Sequence, residues 1–147
     1  MHGHGTLLKC PACPGTLAPC EVDGVVVDTC DGCGGIWFDR DELDKLVNNA
    51  ARQLRAHGQT RLSQRPCPRD GAMMQTLKYP QTLVEAEVCP DCAGLWLDRA
   101  EADEIKAVRR HVARQGDLER YAPVPGAKGR LLAFIDAALA ALIKPVE

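Results

Sequence analysis

The hydrophobic and polar positions of the chain form a pattern that occurs twice. In the first copy, two β-prone runs, Thr16 to Val22 and Val25 to Cys30, flank Asp23-Gly24. Asp-Gly favours the two-residue turn of a β-hairpin, because both positions accept positive φ angles. In the second copy, the segment from Met73 to Val88 turns near residues 80–81. The pattern therefore predicts one antiparallel hairpin in each copy.

Each hairpin is followed by a predicted α-helix. Asp39 and Glu42, and again Asp98 and Glu101, have the spacing of a capping box, in which the two side chains satisfy free N–H groups of the first helical turn. The helices are expected to end near residues 58 and 115. Their apolar positions recur at helical spacing, and these are Leu43, Leu46, Val47, Ala50, Ala51 and Leu54 in the first and Ala102, Ile105, Val108 and Val112 in the second. The first apolar face is longer than one small hairpin can cover, so we expect it to pack on the second copy or on another chain.

A third helix is predicted near the C-terminus. Tyr121 to Gly129 is rich in Pro and Gly and is expected to be an extended linker. Arg130 to Lys144 follows as an amphipathic helix, apolar from Leu131 to Ile143 except at Asp136. This apolar run is shorter than the ~20 residues that span a bilayer, so we expect no transmembrane span. Docking or dimerisation through this helix is the first interpretation, and attachment to a lipid surface is the second.

The cysteines of the first copy indicate a metal site. Cys10 and Cys13 precede the first hairpin, and Cys30 and Cys33 follow it, so the hairpin brings four thiolates together at its open end. Each can lie ~2.3 Å from one zinc ion. Disulfides and a redox Cys-x-x-Cys pair are the alternatives, but the sequence shows neither a secretory signal nor a βαβ pattern. Reduced thiols and a cytoplasmic location are therefore expected, with Cys20 as a small packed hydrophobe in the first strand.

The second copy replaces one cysteine by aspartate. Cys67, Cys89 and Cys92 repeat the first set, whereas Asp70 stands where the first copy has Cys13. A carboxylate oxygen can bind zinc at ~2.0–2.2 Å, although three thiolates and one carboxylate are a less usual structural set. We expect Asp70 to be a ligand. A weaker, water-completed or empty second site, with Asp70 only turning the chain, is the alternative.

Composition and charge limit the classes of function. The repeat divides 147 residues into predicted units 7–58 and 64–116 and a tail, 117–147. Each unit is too small to rely on its core alone, so a metal is expected to stabilise it. The net charge of -2 lacks the basic excess of a general nucleic-acid binder, so any such contact must be local. The candidate phosphate contacts are Arg61, Arg65, Arg109, Arg110 and Arg114. A solvated linker with cations near the negative helix C-termini explains the same residues at least as well, and we favour this interpretation.

The motifs resemble a known family. The Cys10-Pro-Ala-Cys13 knuckle and the stretch from Cys30 to Leu43 are similar to the zinc ribbons of the transcription factor IIB zinc-finger family of prokaryotes. That family has a Cys-Pro-x-Cys knuckle, a hairpin and a Cys-x-x-Cys-Gly-Gly-x-Trp-x-Asp-x-x-Glu-Leu stretch. The second copy departs from it at Asp70, Ala93 and Ala102. The resemblance implies two zinc ribbons and a link to transcription.

These observations predict a small α+β metal-stapled fold of two tandem zinc ribbons. Each ribbon is a β-hairpin with zinc knuckles, followed by an α-helix, and a C-terminal amphipathic helix completes the chain. Two zinc ions, each closed by four protein ligands, would be structural, which favours a non-enzymatic adaptor that presents helices to a protein or, locally, to nucleic acid. A metal or redox sensor with a labile Cys3Asp site is the alternative. A zinc hydrolase with Glu85 or Glu87 as its base is the third.

Overall fold

The structure, a computed structural model, describes residues 8–22, 24–44, 61–79, 84–115 and 126–142. The described elements are β1 (Leu17–Val22), β2 (Val25–Cys30), β3 (Ile36–Phe38), α1 (Arg40–Asp44), β4 (Arg61–Pro66), β5 (Met73–Lys78), β6 (Glu85–Val88), β7 (Leu95–Leu97), α2 (Arg99–Gln115) and α3 (Gly126–Leu142). The predicted hairpins are confirmed as β1–β2 and β5–β6. The first turns at Gly24, whose φ of 81° suits glycine.

The two ribbons share one antiparallel sheet. Its seven strands have the order β1-β2-β3-β7-β6-β5-β4, so the first ribbon supplies one half and the second ribbon the other. The halves meet where β3 pairs with β7, with Trp37 directly opposite Trp96. The predicted boundaries between the units lie largely outside the described residues, so the division 7–58, 64–116 and 117–147 remains a prediction.

The two tryptophans at this meeting point pack on glycines of the opposite ribbon. A Cβ placed on Gly94 would lie 2.1 Å from Trp37 Cζ2, and one placed on Gly35 would lie 2.2 Å from Trp96 Cη2. No side chain fits at such distances, so only glycine permits both contacts. Both tryptophans are fully buried. We call these four residues the inter-ribbon junction.

Successive side chains of β3 and β7 point to opposite faces of the sheet, as the strand period requires. Trp37 and Trp96 lie on the face that carries the ligand cysteines. Ile36, Phe38 and Leu97 lie on the other face, in the main core with the helices. Cys20 packs against this main core, as predicted. The sheet therefore separates a metal face from a helical face.

The first two helices follow the knuckles as predicted. The structure describes α1 over Arg40–Asp44, where Leu43 is buried in the main core. The rest of the predicted first apolar face and its end near residue 58 lie outside the described residues. The second helix spans Arg99–Gln115, and its Ala102 and Ile105 are buried.

The third helix docks on the helical face of the same chain. It begins at Gly126 rather than at the predicted Arg130, so the expectation of extended backbone was wrong for residues 126–129. Glycine costs only about 1 kcal/mol per residue in a helix, which the packing of the helix outweighs. Among the side chains of α3 that the structure describes, the buried ones are Leu132, Phe134, Ile135, Ala138 and Leu139.

Specific contacts fix α3 on the sheet. The Phe134 ring meets the Phe38 ring edge-on, with the ring centroids 6.4 Å apart. Tyr79 Oη donates a hydrogen bond of 3.0 Å to Asp136 Oδ1, so the acidic residue that interrupts the apolar run has a partner. Among the residues that the structure describes, no helix has both the length and the apolar character needed to cross a membrane.

Replacing Ile135 by alanine should lower the free energy of unfolding by ~2–5 kcal/mol, because the lost side chain leaves a cavity against the sheet. Thermal or denaturant unfolding of the zinc-loaded chain measures this. Ala137→Ser, on the exposed side of the same helix, should cost less than ~1 kcal/mol. Equal effects of the two substitutions would contradict the docking of α3.

Candidate metal centres

The first metal centre lies at the open end of the β1–β2 hairpin. The ligand atoms of Cys10, Cys13, Cys30 and Cys33 all lie within 4.8 Å of one another. Cys10 Sγ and Cys33 Sγ are 3.6 Å apart, and Cys13 Sγ and Cys30 Sγ are 3.4 Å apart. Sulfurs bound at ~2.3 Å to one tetrahedral zinc ion lie ~3.8 Å apart, whereas a disulfide measures ~2.05 Å. The cysteines are free, and this set fits one zinc ion.

Backbone N–H groups of the knuckles donate to the ligand sulfurs and favour the thiolate form, whereas burial opposes it. The donors to Sγ atoms are Ala12 N to Cys10 at 3.3 Å, Gly15 N to Cys13 at 3.3 Å and Cys33 N to Cys30 at 3.5 Å. Burial raises the pKa of Cys10 to about 12. Burial also opposes ionisation of Cys30, but the Cys33 N–H and the Cys13 thiol outweigh it and lower the pKa of Cys30 to about 7. Zinc binding must therefore displace protons from this centre, Cys10 above all.

The second centre repeats this geometry with a carboxylate. Cys67 Sγ and Cys92 Sγ are 3.5 Å apart, and Asp70 Oδ2 lies 3.4 Å from Cys89 Sγ. The Ala72 N–H donates to Asp70 Oδ1 at 2.9 Å, as the Gly15 N–H donates to the equivalent cysteine. Asp70 therefore occupies the position that Cys13 holds in the first centre.

The charge of Asp70 suits a metal ligand. The hydrogen bond from the Ala72 N–H lowers the pKa of Asp70 below its ordinary value, against the weak opposing effect of burial. A hydrogen bond with Cys67 likewise lowers the pKa of Cys92 and raises that of Cys67. The donor set is thus three sulfurs and one ionised carboxylate, and it fits a second zinc ion. Direct coordination by Asp70 remains a prediction.

The two centres differ in exposure and in backbone strain. Asp70 is exposed, whereas Cys13 is half-buried. After the last ligand, both chains turn through a left-handed residue, which is Gly34 at φ 78° in the first ribbon and Ala93 at φ 63° in the second. A left-handed alanine costs roughly 1–2 kcal/mol. The second centre therefore has the more accessible fourth ligand position and the more strained turn after its last ligand.

One candidate phosphate contact is already engaged within the chain. Arg65 Nη1 donates to Glu87 Oε1 at 2.7 Å and to Asp98 Oδ2 at 2.9 Å, and Ser63 Oγ also donates to Glu87. Any phosphate would have to compete with these two carboxylates. The side chains of Arg61, Arg109, Arg110 and Arg114 lie outside the described residues, so their contact with phosphate remains a prediction.

The capping box of α2 is confirmed. Asp98 Oδ1 accepts from the Glu101 N–H at 2.8 Å, and Glu101 Oε1 accepts from the Asp98 N–H at 2.9 Å. Burial raises the pKa of Glu101 to about 8 despite that hydrogen bond, and the neighbouring carboxylates Asp98 and Glu87 add to the shift. Glu101 is therefore largely protonated at neutral pH.

At the start of α1, the Asp39 contact of the predicted capping box is confirmed, and Glu42 also contacts the neighbouring hairpin. Asp39 Oδ1 accepts from the Asp41 N–H at 3.0 Å, while Glu42 Oε1 accepts from the Val26 N–H of β2 at 2.9 Å. Glu42 thus ties the helix to the hairpin. Arg69 of the second ribbon's knuckle donates to Asp39, a cross-ribbon contact that the sequence analysis missed because no local spacing signals it.

Asp70→Cys should tighten metal binding at the second centre by about tenfold or more, because a thiolate is the more usual zinc donor. Asp70→Asn keeps the shape and the acceptor for the Ala72 N–H but removes the charge, and it should weaken binding. Competition with a chromophoric chelator measures both affinities. Unchanged affinity in both variants would show that Asp70 does not ligate.

The stability of the chain should depend on pH through Glu101. Its folded-state pKa of about 8 exceeds the ordinary value of 4.5, so the folded chain holds the proton more tightly. The resulting stabilisation is complete at low pH and is lost as pH rises through about 8. Glu101→Gln is always neutral and keeps an acceptor for the Asp98 N–H. The Tm of this variant minus that of the wild type should therefore increase as the pH rises from 4.5 to about 8. A pH-independent difference in Tm would contradict the shift.

Comparison with known proteins agrees with this geometry. A family model described as a transcription factor zinc-finger matches residues 9–49 and 66–108, one match for each ribbon, and together they cover more than half of the chain. No curated protein and no solved structure matches the chain significantly. Each matched segment contains one complete ligand set. The chain therefore belongs to the transcription factor zinc-finger family and carries its zinc ribbon twice.

Proposed function

We propose that this protein is a non-enzymatic, zinc-stabilised adaptor that presents a helical surface to a protein partner. The observation that supports this most is the composition of the metal centres, since each brings four protein donor atoms within 4.8 Å of one another. Four protein ligands fill a tetrahedral zinc ion and leave no position for water or substrate. Zinc then contributes folding free energy, on the order of 10–16 kcal/mol in small zinc-finger peptides.

The hydrolase alternative names Glu85 or Glu87 as its base, and the surroundings of Glu87 argue against that residue. A zinc hydrolase would need a free carboxylate as general base beside a metal-bound water. Glu87 is buried and accepts hydrogen bonds from Arg65 and Ser63, which hold it in a fixed ion pair. Its carboxylate therefore links β6 to side chains of β4 across the intervening strand β5.

The outer side of the helical layer is the surface that we assign to a partner. Leu132, Phe134, Ile135 and Leu139 of α3 are buried in the core of their own chain, so dimerisation or lipid attachment through them would require undocking. Alanines occupy the exposed side of α3, at positions 133, 137, 140 and 141. Small side chains let another backbone approach closely, which suits a protein surface better than nucleic acid. The family description points to transcription as the setting, and the metal-binding thiols point to a reducing compartment such as the cytoplasm.

A metal or redox sensor is the second candidate, and the exposure of Asp70 favours it. Three ligands of the second centre are buried or half-buried cysteines, whereas the fourth is an exposed carboxylate. Water or a chelator could therefore reach that metal first. Loss of the two ions in two separate steps during a chelator titration would support the sensor. Loss of both in a single step would contradict it.

The adaptor is tested by quantitative capture from cells that natively express the full chain, with the zinc-loaded protein as bait. Ala133→Glu and Ala137→Glu each add one charge to the exposed side of α3 and should reduce the captured partner by about tenfold, equivalent to ~1.4 kcal/mol. Gln64→Glu adds the same charge on the exposed edge strand β4 and should not. Equal capture by all three variants would contradict the assignment of the surface. Capture of nucleic acid alone, in a nuclease- and salt-sensitive manner, would replace it with a phosphate-binding function.

A further inference from the structure

Each tryptophan of the inter-ribbon junction is linked to the metal centre of the opposite ribbon. Trp96 belongs to the second ribbon but packs on Gly35, whose carbonyl accepts a 3.0 Å hydrogen bond from the backbone N–H of the ligand Cys30. Trp37 belongs to the first ribbon but packs on Gly94, whose carbonyl accepts a 3.0 Å bond from the ligand Cys89. One glycine therefore separates each indole from a ligand of the other centre.

Buried apolar contacts support the same link. The tryptophans share one cluster with buried ligands of both centres, which are Cys10, Cys30, Cys67 and Cys89. Leu17 and Met74, from β1 and β5, complete this cluster. Side chains in a close-packed cluster transmit a displacement to their neighbours, because no void absorbs it. The metal face thus has one shared interior for its two centres.

Two arginines cross between the ribbons at the knuckles. The Arg69 N–H donates to the ligand Cys67 at 3.3 Å, and the Arg69 guanidinium binds Asp39 at the start of α1. Arg99, at the start of α2, lies over Gly34, since a Cβ placed there would be 3.3 Å from Arg99 Nη1. Each arginine therefore connects a knuckle of one ribbon to the start of a helix in the other.

We infer that the two centres bind their metal ions cooperatively, with Trp37 and Trp96 as positioning residues for the opposite centre. A zinc knuckle is ordered by its metal, so loss of one ion releases the glycine against which the opposite tryptophan packs. The remaining centre then loses part of its support. By thermodynamic linkage the effect is reciprocal, so each ion raises the affinity for the other by the same factor. This coupling is independent of the proposed adaptor function, because it holds with or without a partner.

The coupling is measured with Co²⁺, whose thiolate charge-transfer absorption reports each centre in the full chain. In Cys89→Ser/Cys92→Ser, which disables the second centre, Co²⁺ affinity at the first centre should fall roughly 5- to 150-fold, the usual range of coupling between sites. Cys10→Ser/Cys13→Ser should lower the affinity of the second centre by the same factor. Unchanged affinity in either variant overturns the inference.

A milder variant separates coupling from a general failure to fold. Asp70→Asn keeps every cysteine but weakens the second centre, so at Co²⁺ concentrations that leave the second centre empty the first centre should bind Co²⁺ more weakly than it does in the wild type. A circular dichroism spectrum equal to that of the wild type confirms that the chain is folded in this comparison. If the affinity of the first centre does not depend on occupancy of the second, the inference is wrong.

A double-mutant cycle tests the route through Trp96. Trp96→Leu should lower the Co²⁺ affinity of the first centre. Disabling the second centre in this variant should then lower that affinity by a smaller factor than in the wild type, because the two changes remove the same support. Leu77→Ala is the control, since Leu77 is a buried side chain of the second ribbon on the helical face, outside the junction. It should leave the coupling factor intact. Full coupling in Trp96→Leu, or its loss in Leu77→Ala, would contradict the assigned role of the tryptophans.

Discussion

The contact between two tryptophans and two glycines determines how the rest of this molecule is assembled. A unit of about fifty residues buries too little of its surface to be more than marginally stable by itself, so each ribbon is expected to need further support. Pairing Trp37 with Trp96 converts two small sheets into one sheet of seven strands. The larger helical face of that sheet can then bury α2 and α3. The reciprocal position of Gly35 and Gly94 permits the approach, because any side chain there would overlap an indole ring.

The metal centres and the junction depend on each other. The glycines that accept the tryptophans follow the last ligand of each centre, so their position is set where the metal is bound. The junction buries both tryptophans completely, although aromatic residues make up only 4% of the chain. This arrangement is also in keeping with membership of a zinc-finger family. Asp70 leaves the geometry of the second centre intact while exposing it to solvent.

Local features of the fold were predictable from the sequence, and long-range ones were not. The Asp-Gly turn, the ligand spacings and the Asp98–Glu101 cap act over a few residues, so the sequence pattern reveals them directly. The strand β4 was missed because Arg61 to Pro66 has no alternating hydrophobic pattern, and it is held by Arg65 and Ser63 acting on Glu87. The early start of α3 was missed because local glycine propensity opposes a helix that tertiary packing stabilises.

The pairing of β3 with β7 had only an indirect signal in the sequence. Each copy carries a tryptophan two positions after a glycine, Gly35 with Trp37 and Gly94 with Trp96, and this repetition could have suggested a symmetric contact. The spacing within one ribbon does not show whether each indole packs on its own ribbon or on the other. That depends on the pairing of residues about sixty positions apart, which no local pattern reveals. The helix-capping Asp39 raises the same difficulty, because its arginine, Arg69, belongs to the other ribbon.

The most direct test of the joined sheet is a two-dimensional proton NMR spectrum of the zinc-loaded chain. The account predicts nuclear Overhauser contacts from the Trp37 indole to the Gly94 Hα protons and from the Trp96 indole to those of Gly35. It also predicts ring-current shifts of the Hα signals of both glycines away from their ordinary values, because both residues lie in close contact with an indole ring. Glycine Hα protons at ordinary shifts, with indole contacts confined to the tryptophan's own ribbon, would contradict it.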